Sequence, residues 1–440
     1  MAMTSIYADD FKTDPYWWDA APPDVEGDMP PPARVDVAVV GSGYTGLSTA
    51  LELARAGPFA EPLGLQHHDI TASARNGGML SGGVNVGKGG DVERLYGGNR
   101  VTAMLEEASE SFAHLEALID REGINCHFKK TGRFVGAHTP AAYRAQADRL
   151  TMLNSAADAG ARMVPRDRQH EEIATDFYHG GMVVERAGGL HPALYHKGLR
   201  AACRTAGVKL AAHTMVHGIE GTDGDLAVRT SRGVVRARQV VLGTNGYTGA
   251  ATPWHRRRVV PVASYIIATE PLGKDRVKAL FPTLKVIADT KRVLFYFRPS
   301  PDGTRVVFGG RASFRSRTAL ETAPVLYRYM LGVFPQLEGV RITHAWNGNV
   351  AFTFDRVPHM GDRDGVHYAL GCNGSGVVMM SHLGHRIALK ILGKTNRPSA
   401  FDNLPFETRP FYHGHPWFLP AVGAWYQIRD WLDRRWAASK

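Results

Sequence analysis

A glycine-rich segment near the N-terminus has the residue types and spacing of a phosphate-binding turn. Gly41, Gly43 and Gly46 follow the β-branched run 35–40 and lead into a helical stretch at 47–56. In such a unit the first glycine permits the tight turn, the second lets the backbone approach a pyrophosphate, and the third lets helix and strand pack closely. The helix N-terminus offers free N–H groups and its positive dipole end to the phosphates. The residues predicted to bind a dinucleotide here are Gly41, Ser42, Gly43, Tyr44, Thr45 and Gly46.

A unit of this kind normally carries an acidic residue about twenty residues further on, which binds the adenosine ribose. Residues 58–70 depart from that pattern, because they contain two prolines and no β-branched run typical of a central parallel strand. Gly64 lies near the expected position, and Glu61 and Asp69 are poorly spaced substitutes. Two explanations stay open: a real substitution, with the ribose bound by backbone groups or water, and compensating frame errors in the recorded gene sequence, which we favour. The mass of the peptide 56–75 would separate them.

The length and composition of the chain are those of a large folded protein. Its 440 residues exceed what one hydrophobic core usually serves, so two or more domains, or one large composite domain, are expected. With 44% hydrophobic and 21% charged residues, wholesale disorder is excluded. No apolar run reaches the ~18 residues of a membrane span, and the N-terminus lacks a signal-peptide layout. We therefore expect a cytoplasmic protein with no membrane partner.

Charge and cysteine content exclude several classes of ligand and binding site. The net charge of +10 comes from scattered bases, whereas nucleic-acid binders concentrate charge on one face. A small anionic ligand, or a charge that serves only solubility, is therefore favoured over nucleic acid. Three distant cysteines without a CxxC pair exclude a disulfide scaffold and a thiolate zinc site. The histidine pairs at 67–68 and at His382 and His385 lack a third ligand, so no metal is expected. The chain has no GxSxG or HExxH motif of a hydrolase.

The hydrophobic pattern gives a coarse order of elements. Apolar residues at helical spacing predict helices at 101–122, 141–160 and 191–206. Strands dominate residues 259–311. The C-terminal tail carries tryptophans at partly helical spacing among charged residues, which favours a packing helix over a membrane anchor.

Several short segments, in the same order along the chain, resemble one enzyme family. Residues 73–78 contain an Arg-Asn-Gly sequence soon after the first strand–helix unit, and the set extends over roughly residues 35–393. It resembles the FAD-dependent D-amino-acid oxidase and glycine oxidase superfamily, and most of all its γ-glutamylputrescine oxidoreductase-like group. The further segments are 189–192, 240–246, 296–298, 308–311, 346–348, 353–359 and 371–377.

The resemblance implies FAD as the cofactor and an α/β fold, α+β overall. Its two parts would be a glutathione-reductase-like Rossmann domain for FAD and a mixed-sheet substrate domain. The expected FAD domain comprises 34–95, 181–256 and 345–395, and the expected substrate domain comprises 96–180 and 257–344. An N-terminal arm (1–33) and a C-terminal packing tail (396–440) complete the chain.

The resemblance also assigns further cofactor contacts. The helix that follows residues 371–376 would direct its N-terminus at the flavin edge where negative charge develops on reduction. A plain loop between strand and helix is the alternative for this cluster, and an ordinary buried strand residue is the alternative for Val216, which the family uses near adenine. The contacts implied are Ser73, Ala74, Arg75, Asn76, Gly77, Val216, Thr244, Asn245, Gly246, Gly374, Ser375, Gly376 and Val377.

The substrate pocket departs from the family pattern, because the residues with which relatives bind substrate are absent. Val377, Val350 and Ser375 stand about where relatives place a lysine or arginines, and the oxygen-activating lysine has no counterpart near Val306. Aromatic residues would form a desolvating wall, and a pocket arginine would bind a carboxylate. Core packing for Tyr265 and Phe297, and surface exposure for the arginines, are the alternatives. The residues predicted to act on substrate are Tyr265, Tyr296, Arg298, Arg311 and Trp346.

These features predict an FAD-dependent oxidase that cleaves the C–N bond of a small secondary amine or amino acid carrying a carboxylate. An N-substituted glycine such as iminodiacetate fits, with an amine, glyoxylate and hydrogen peroxide as products and molecular oxygen as acceptor. Two alternatives stay open, namely oxidation of γ-glutamylputrescine or another polyamine conjugate, and RNA modification by a flavoprotein. A flavin-binding subunit without its own turnover is a weaker third. The sequence leaves the oligomeric state undetermined.

Overall fold

The computed structural model describes residues 5–23, 29–57, 62–65, 72–81 and 91–438. The strands are β1 (Tyr7–Lys12), β2 (Arg34–Val40), β3 (Pro62–Leu65), β4 (Met79–Leu80), β5 (Arg133–Gly136), β6 (Ala161–Val164), β7 (Gly181–Val184), β8 (Gly188–Gly189), β9 (Lys209–Ala211), β10 (Val216–Thr222), β11 (Asp225–Thr230), β12 (Gly233–Leu242), β13 (Val260–Thr269), β14 (Val286–Asp289), β15 (Phe295–Pro299), β16 (Val306–Gly310), β17 (Ile342–Phe352), β18 (His359–Arg363) and β19 (Val366–Leu370).

The α-helices are α1 (Tyr44–Arg55), α2 (Val92–Tyr96), α3 (Gly98–Arg121), α4 (Pro140–Asp148), α5 (Leu150–Ala157), α6 (Pro192–Thr205), α7 (Pro253–Arg256), α8 (Lys274–Leu280), α9 (Ala319–Val333), α10 (Gly376–Ile391) and α11 (Leu419–Ala438). Short 3₁₀ helices lie at Tyr16–Asp19, Ala72–Ala74, Arg166–Glu171, Asn245–Tyr247 and Pro335–Leu337.

One sheet has the parallel arrangement that the glycine motif requires. Its order is β10-β11-β12-β2-β3-β9, and β12 also pairs with β19, which pairs with β18. The pairs β12–β2, β2–β3, β3–β9 and β12–β19 are parallel. Residues Val37 to Val40 of β2 are mostly buried, as expected of a strand covered on both faces. A nine-stranded mixed sheet, in the order β1-β17-β13-β16-β15-β14-β5-β7-β6, forms the second layer. The predicted α/β class, with a Rossmann-type sheet and a mixed sheet, is confirmed.

Each of the two large sheets has its own hydrophobic core. The Rossmann-type sheet packs against α1, α3, α6 and α10, with Leu47, Phe112 and Leu383 among the buried residues. The helices α1 and α10 approach closely because α10 has a glycine at the contact: a Cβ on Gly384 would lie 2.3 Å from the carbonyl oxygen of Thr45. The mixed sheet packs against α8 and α9.

The strand β3 corrects one expectation. The prolines of residues 58–70 argued against a strand, yet Pro62–Leu65 pairs in parallel with β2 on one side and β9 on the other. Pro62 is the first residue of the strand, a position where a missing N–H is tolerated. Residues 58–61 and 66–70, including Glu61 and Asp69, lie outside the described residues. The ribose contact and the hypothesis of a misrecorded sequence therefore stay predictions.

The expected helices are present, and the C-terminal tail forms α11. Residues 141–160 divide into α4 and α5, which meet at Arg149. None of the helices in the described part of the chain combines the length and the apolar character that a membrane span requires. The domain boundaries stay a prediction. Two strands next to them, β7 at 181 and β17 across 345, pair within the mixed sheet.

Candidate active site

A cavity of about 1230 Å³ lies between the two sheets. On one side it is lined by the ends of β2 and β12, the beginning of α1 and the beginning of α10. On the other side it is lined by residues of β13, β15 and β17 and by Arg311, which follows β16. The carboxyl ends of β2 and β12 thus open into this cavity, which is where open α/β sheets bind their ligands.

The glycine motif forms a cradle at one end of the cavity. Gly41 has φ +99°, a conformation that favours glycine, and Gly43 is the N-cap of α1. A Cβ on Gly46 would lie 1.9 Å from the carbonyl oxygen of Gly41, so only glycine lets α1 pack against the turn. Gly41 to Thr45 line the cavity, and Gly46 lies behind them. The cradle and the helix N-terminus fit the pyrophosphate of a dinucleotide.

The segment 72–81 packs against this glycine-rich turn. The backbone N–H of Tyr44 donates to the Oγ of Ser73 at 3.1 Å, and the amide of Asn76 donates to the carbonyl oxygen of Ser73 at 3.0 Å. Ser73, Arg75, Asn76 and Gly77 line the cavity. Ala74 does not; it packs in a small apolar cluster. Arg75 donates to the carbonyl oxygen of Asn347 at 3.2 Å, and burial lowers its pKa.

Most of the remaining cofactor candidates lie where β12 and β19 end, whereas Val216 is the first residue of β10. The side-chain oxygen of Asn245 accepts hydrogen bonds from the backbone N–H groups of Gly371 (3.0 Å) and Cys372 (3.4 Å), so the two turns are tied together. Ser375 is hydrogen-bonded to Ser81 at 3.2 Å and is not among the lining residues. Those that line the cavity are Val216, Thr244, Asn245, Gly246, Gly374, Gly376 and Val377. The described residues therefore fit FAD along the length of the cavity.

Two of the five predicted substrate residues line the cavity. The hydroxyl of Tyr296 is hydrogen-bonded to the Oγ of Ser264 at 2.8 Å, and burial raises the pKa of Tyr296 to about 12. The guanidinium of Arg311 stacks over the ring of Phe352 at 4.6 Å. Burial, and then the charge of Arg356, lower the pKa of Arg311 to about 10, which leaves it charged at neutral pH. Tyr296 and Arg311 are thus brought together at the substrate side.

Tyr265 does not line the cavity, because strand residues alternate between the two faces of a sheet. Its neighbours Ser264 and Ile266 line the cavity, whereas Tyr265 points into the core of the mixed sheet. Its hydroxyl donates to the carbonyl oxygens of Arg315 and Arg317, both at 3.3 Å. Phe297 lies in the same core, so the alternative of core packing holds for both residues.

Arg298 and Trp346 share a face with cavity residues but lie beneath the segment 72–81. Arg298 is 6% exposed and donates to the carbonyl oxygens of Gly78 (2.6 Å) and Leu190 (2.9 Å). The indole N–H of Trp346 donates to the carbonyl oxygen of Arg75 at 2.7 Å. Neither side chain lines the cavity, so their placement supports a role in joining the segment to the sheet and not contact with substrate.

Several lining residues were missed from the sequence. Arg356 belongs to a segment that carried the family resemblance, but its side chain was given no role there. Phe418, Leu419, Val422 and Tyr426 lie at the C-terminal helix and also line the cavity. A helix of mixed charged and aromatic residues indicates packing but not the partner it packs against. No sequence signal connected this tail with the site.

The charge of the cavity is one-sided. Its described lining contains six side chains of lysine or arginine and no aspartate or glutamate. Arg292 is neutralised by Asp430 at 3.0 Å and Asp433 at 2.6 Å, and Lys291 lies 3.7 Å from Asp289. The six cations are Arg75, Arg133, Lys291, Arg292, Arg311 and Arg356. Low-dielectric walls of one sign concentrate ligands of the opposite charge, so the cavity suits anions.

The histidines considered for a metal have acidic neighbours in the structure. The Nε2 atom of His382 lies 3.2 Å from Glu107, and the Nδ1 atom of His385 lies 3.3 Å from Glu52. Within the described residues, ligand atoms of His138, Asp430 and Asp433 come within 4.8 Å of one another. The two carboxylates of that group already accept hydrogen bonds from Arg292.

Comparison with known proteins agrees with this geometry. Residues 36–389 match the family model described as FAD dependent oxidoreductase. γ-Glutamylputrescine oxidoreductase from Escherichia coli is 31% identical over 413 residues, which cover 90% of this chain and 93% of that protein. Glycine oxidase from Geobacillus kaustophilus has a similar fold (TM-score 0.71, 20% identity, covering 86% of this chain and 99% of that one).

A second solved structure, iminodiacetate oxidase from Chelativorans sp., is also similar in fold (TM-score 0.65, 19% identity, covering 82% of this chain and 97% of that one). The resemblance inferred from the sequence segments and the assignment of FAD as the cofactor are confirmed. With most of its length matched by the family model, the chain belongs to the FAD-dependent oxidoreductases.

Proposed function

We propose that this protein is an FAD-dependent oxidase of small secondary amines or amino acids that carry a carboxylate. For an N-substituted glycine, R–NH–CH₂–COO⁻, the proposed reaction consumes O₂ and H₂O and gives R–NH₂, glyoxylate and H₂O₂. The C–H bond next to nitrogen is oxidised, O₂ is reduced by the same two electrons, and water supplies the carbonyl oxygen. Iminodiacetate is the representative substrate.

The observation that carries this proposal is the charge of the cavity. No aspartate or glutamate lines the described part of the cavity. Lys291 and Arg292 have carboxylate partners outside this lining, whereas Arg311 has none in the described chain. An arginine in a dry site forms strong charge-assisted hydrogen bonds with a carboxylate. The same positive field disfavours a polycationic ligand such as a free polyamine.

Bound FAD would supply the hydride acceptor, and the residues of this chain bind, orient and dehydrate the amine. Arg311 is the carboxylate-binding group, and Tyr296 forms part of the wall beside it. Burial and the neighbouring guanidinium groups favour the neutral amine, because both disfavour a second positive charge in the cavity. The amine therefore reaches its reactive, uncharged form without a carboxylate base, which the described lining does not contain.

Two other functions are distinguished by their ligands. The name of the Escherichia coli relative supports γ-glutamylputrescine or a similar conjugate as an alternative, since that molecule also carries a carboxylate. RNA modification by a flavoprotein is the alternative of another class. It requires binding of tRNA that weakens steeply with salt, because phosphate contacts release counterions.

The test is anaerobic bleaching of the flavin absorbance in the FAD-loaded protein. We expect iminodiacetate and sarcosine to bleach it, putrescine to leave it unchanged, and air to restore it with release of hydrogen peroxide. Arg311→Ala should slow bleaching by sarcosine about 30- to 900-fold, equivalent to ~2–4 kcal/mol. Arg328→Ala is the matched control, because Arg328 is exposed on α9 and does not line the cavity.

Other outcomes would redirect the proposal. Bleaching by γ-glutamylputrescine alone would establish the polyamine conjugate as the substrate. Bleaching by no amine, together with salt-sensitive binding of tRNA, would favour RNA modification. Reduction by amines without peroxide release in air would mean that the electron acceptor is not oxygen.

A further inference from the structure

The turn between β17 and β18 holds Arg356 in a conformation that is unusual for a residue with a side chain. Its φ is +62°, in the left-handed region. The turn is fixed by the hydroxyl of Thr353, which donates to the carbonyl oxygen of Val357 at 2.9 Å, and by Asp355, which accepts from the backbone N–H of Val357 at 3.3 Å. Strained residues that their surroundings fix in this way occur frequently at functional sites.

The side chain of Arg356 lines the cavity and is held at its end by a tyrosine. Its Nη2 donates to the hydroxyl of Tyr426 at 2.7 Å. Within the described residues neither Arg356 nor Arg311 has a carboxylate partner. The two are close enough that the charge of Arg356 lowers the pKa of Arg311, after the larger effect of burial. A pair of neighbouring guanidinium charges without counter-ions is left for a ligand to neutralise.

Tyr426 is fixed because α11 is tied to the body of the protein. Asp430 of α11 accepts hydrogen bonds from the backbone N–H groups of Arg292 (3.2 Å) and Val293 (3.0 Å). One turn before Tyr426, Gly423 packs against Phe314, where a Cβ would lie 2.3 Å from the ring. The helix lies outside residues 36–389, so this wall of the cavity is an addition to the family domain.

We propose that Arg356, positioned by Tyr426, is a second carboxylate-binding residue beside Arg311, and that the preferred amine carries two carboxylates. The inference rests on the proposed function and adds a subsite to it. A single carboxylate neutralises one of two neighbouring guanidinium groups, whereas a dicarboxylate neutralises both. Arg356 should therefore determine the preference for dicarboxylates over monocarboxylates, and Arg311 should provide affinity for any carboxylate.

The decisive experiment is calorimetric titration of the FAD-loaded protein with two inert analogues. Thiodiacetate has two carboxylates and (methylthio)acetate has one, and neither contains an amine to be oxidised. We expect Arg356→Ala to weaken thiodiacetate binding about 10- to 100-fold and (methylthio)acetate binding less than about 2-fold. Arg311→Ala should weaken both analogues, and Arg328→Ala neither.

Tyr426→Phe tests the positioning role and keeps the proposal testable if Arg356→Ala loses FAD. It removes only the hydroxyl, and we expect about 3- to 10-fold weaker binding of thiodiacetate with unchanged binding of (methylthio)acetate. In kinetics the same variant should raise KM for iminodiacetate more than KM for sarcosine. A merely structural role would alter both analogues and both substrates alike.

The results separate this inference from the proposed function. Equal losses for both analogues in Arg356→Ala, or no preference of the unmodified protein for thiodiacetate, would overturn the second subsite while leaving amine oxidation intact. Selective binding of thiodiacetate without bleaching by any amine would overturn the oxidase and leave a dianion site in place.

Discussion

The Cα of Gly43 faces the hydroxyl of Ser73 so closely that residue 43 has no room for a side chain. A Cβ on Gly43 would lie 2.9 Å from the Oγ of Ser73, which itself accepts the backbone N–H of Tyr44 at 3.1 Å. The first turn of α1 and the segment 72–81 therefore meet at the dinucleotide cradle, and a side chain at residue 43 would enter the space between them.

Replacing Gly43 by valine should give a folded but colourless protein. The branched side chain would press on Ser73 and block the approach of the backbone to the pyrophosphate. The measurement is the ratio of flavin to protein after purification, with circular dichroism to check folding. Gly332→Val is the matched control, because a Cβ there meets nothing within 4 Å. Normal flavin content in Gly43→Val would refute the assignment of this motif.

Arg298→Ala should lower stability and leave substrate affinity unchanged in the flavin-loaded fraction. The substitution removes the donor to the carbonyl oxygens of Gly78 and Leu190 in a buried place. The carbonyl oxygen of Gly78 keeps the backbone N–H of Leu190 as a donor at 2.9 Å, so the cost is that of the lost charge-assisted hydrogen bonds, and we expect the free energy of unfolding to fall by about 1.5–3 kcal/mol. Denaturant unfolding and KM for sarcosine are measured together. A large rise of KM at unchanged stability would place Arg298 at the substrate after all.

The comparison of Tyr265 with Ser264 shows where sequence reasoning ends. A glycine motif between a strand and a helix is a local pattern, so its place at the cavity was predictable. Which face of β13 meets the cavity depends on how that strand pairs with β16 and β17, and a shift by one residue would reverse it. Arg298 illustrates a second limit, because it is covered by segments around residues 78 and 190 that are distant in sequence.

Contacts with distant parts of the chain determine the structure of β3 and the position of α11. Pro62–Leu65 forms a strand because it lies between β2 and β9, where pairing outweighs weak intrinsic preference. The tail was predicted to be a packing helix, which α11 is, but its contact with the cavity depends on Asp430 binding the backbone near residue 292. Such contacts have no signature in the tail itself.

Glu107 should contribute to stability at neutral pH and lose that contribution in acid. It is 4% exposed, and its carboxylate accepts from Ser399 at 2.7 Å and from the backbone N–H of Ala400 at 2.5 Å. Burial raises its pKa, but His382, Ser399 and Ala400 together outweigh burial and lower the pKa below the ordinary 4.5. A lowered pKa stabilises the folded state above pH 4.5, and the effect is lost as pH falls through the folded value.

Glu107→Gln should therefore reduce the free energy of unfolding at pH 7 by about 1–3 kcal/mol. It should also flatten the decline of stability between neutral and acidic pH. The check is urea unfolding at several pH values. Glu110→Gln is the control, because Glu110 is half exposed and, within the described residues, pairs with Arg397 at the surface. An unchanged acid dependence in Glu107→Gln would show that other carboxylates govern acid unfolding.

The pH dependence of amine oxidation should follow the substrate and not the protein. No carboxylate lines the described part of the cavity, and Tyr296, with its pKa raised to about 12 by burial, stays protonated between pH 6 and 10. The amine must lose its own proton before it reacts. We therefore expect kcat/KM to rise about tenfold per pH unit below one apparent pKa and to level off above it.

Two substrates whose amines differ in pKa provide the measurement. The apparent pKa of kcat/KM should move with the substrate, from sarcosine to an N-substituted glycine with a less basic nitrogen, and should stay the same in Tyr296→Phe. Arg311 remains charged over the whole range, whereas burial lowers the pKa of Lys291, which also lines the cavity, to about 8, so any second step caused by Lys291 should fall at the same pH for both substrates. A midpoint that is identical for both substrates, or that disappears in Tyr296→Phe, would instead identify a titrating group of the protein as the base. In that case the basic residues of the cavity would bind the carboxylate, and a separate titrating group of the protein would deprotonate the amine.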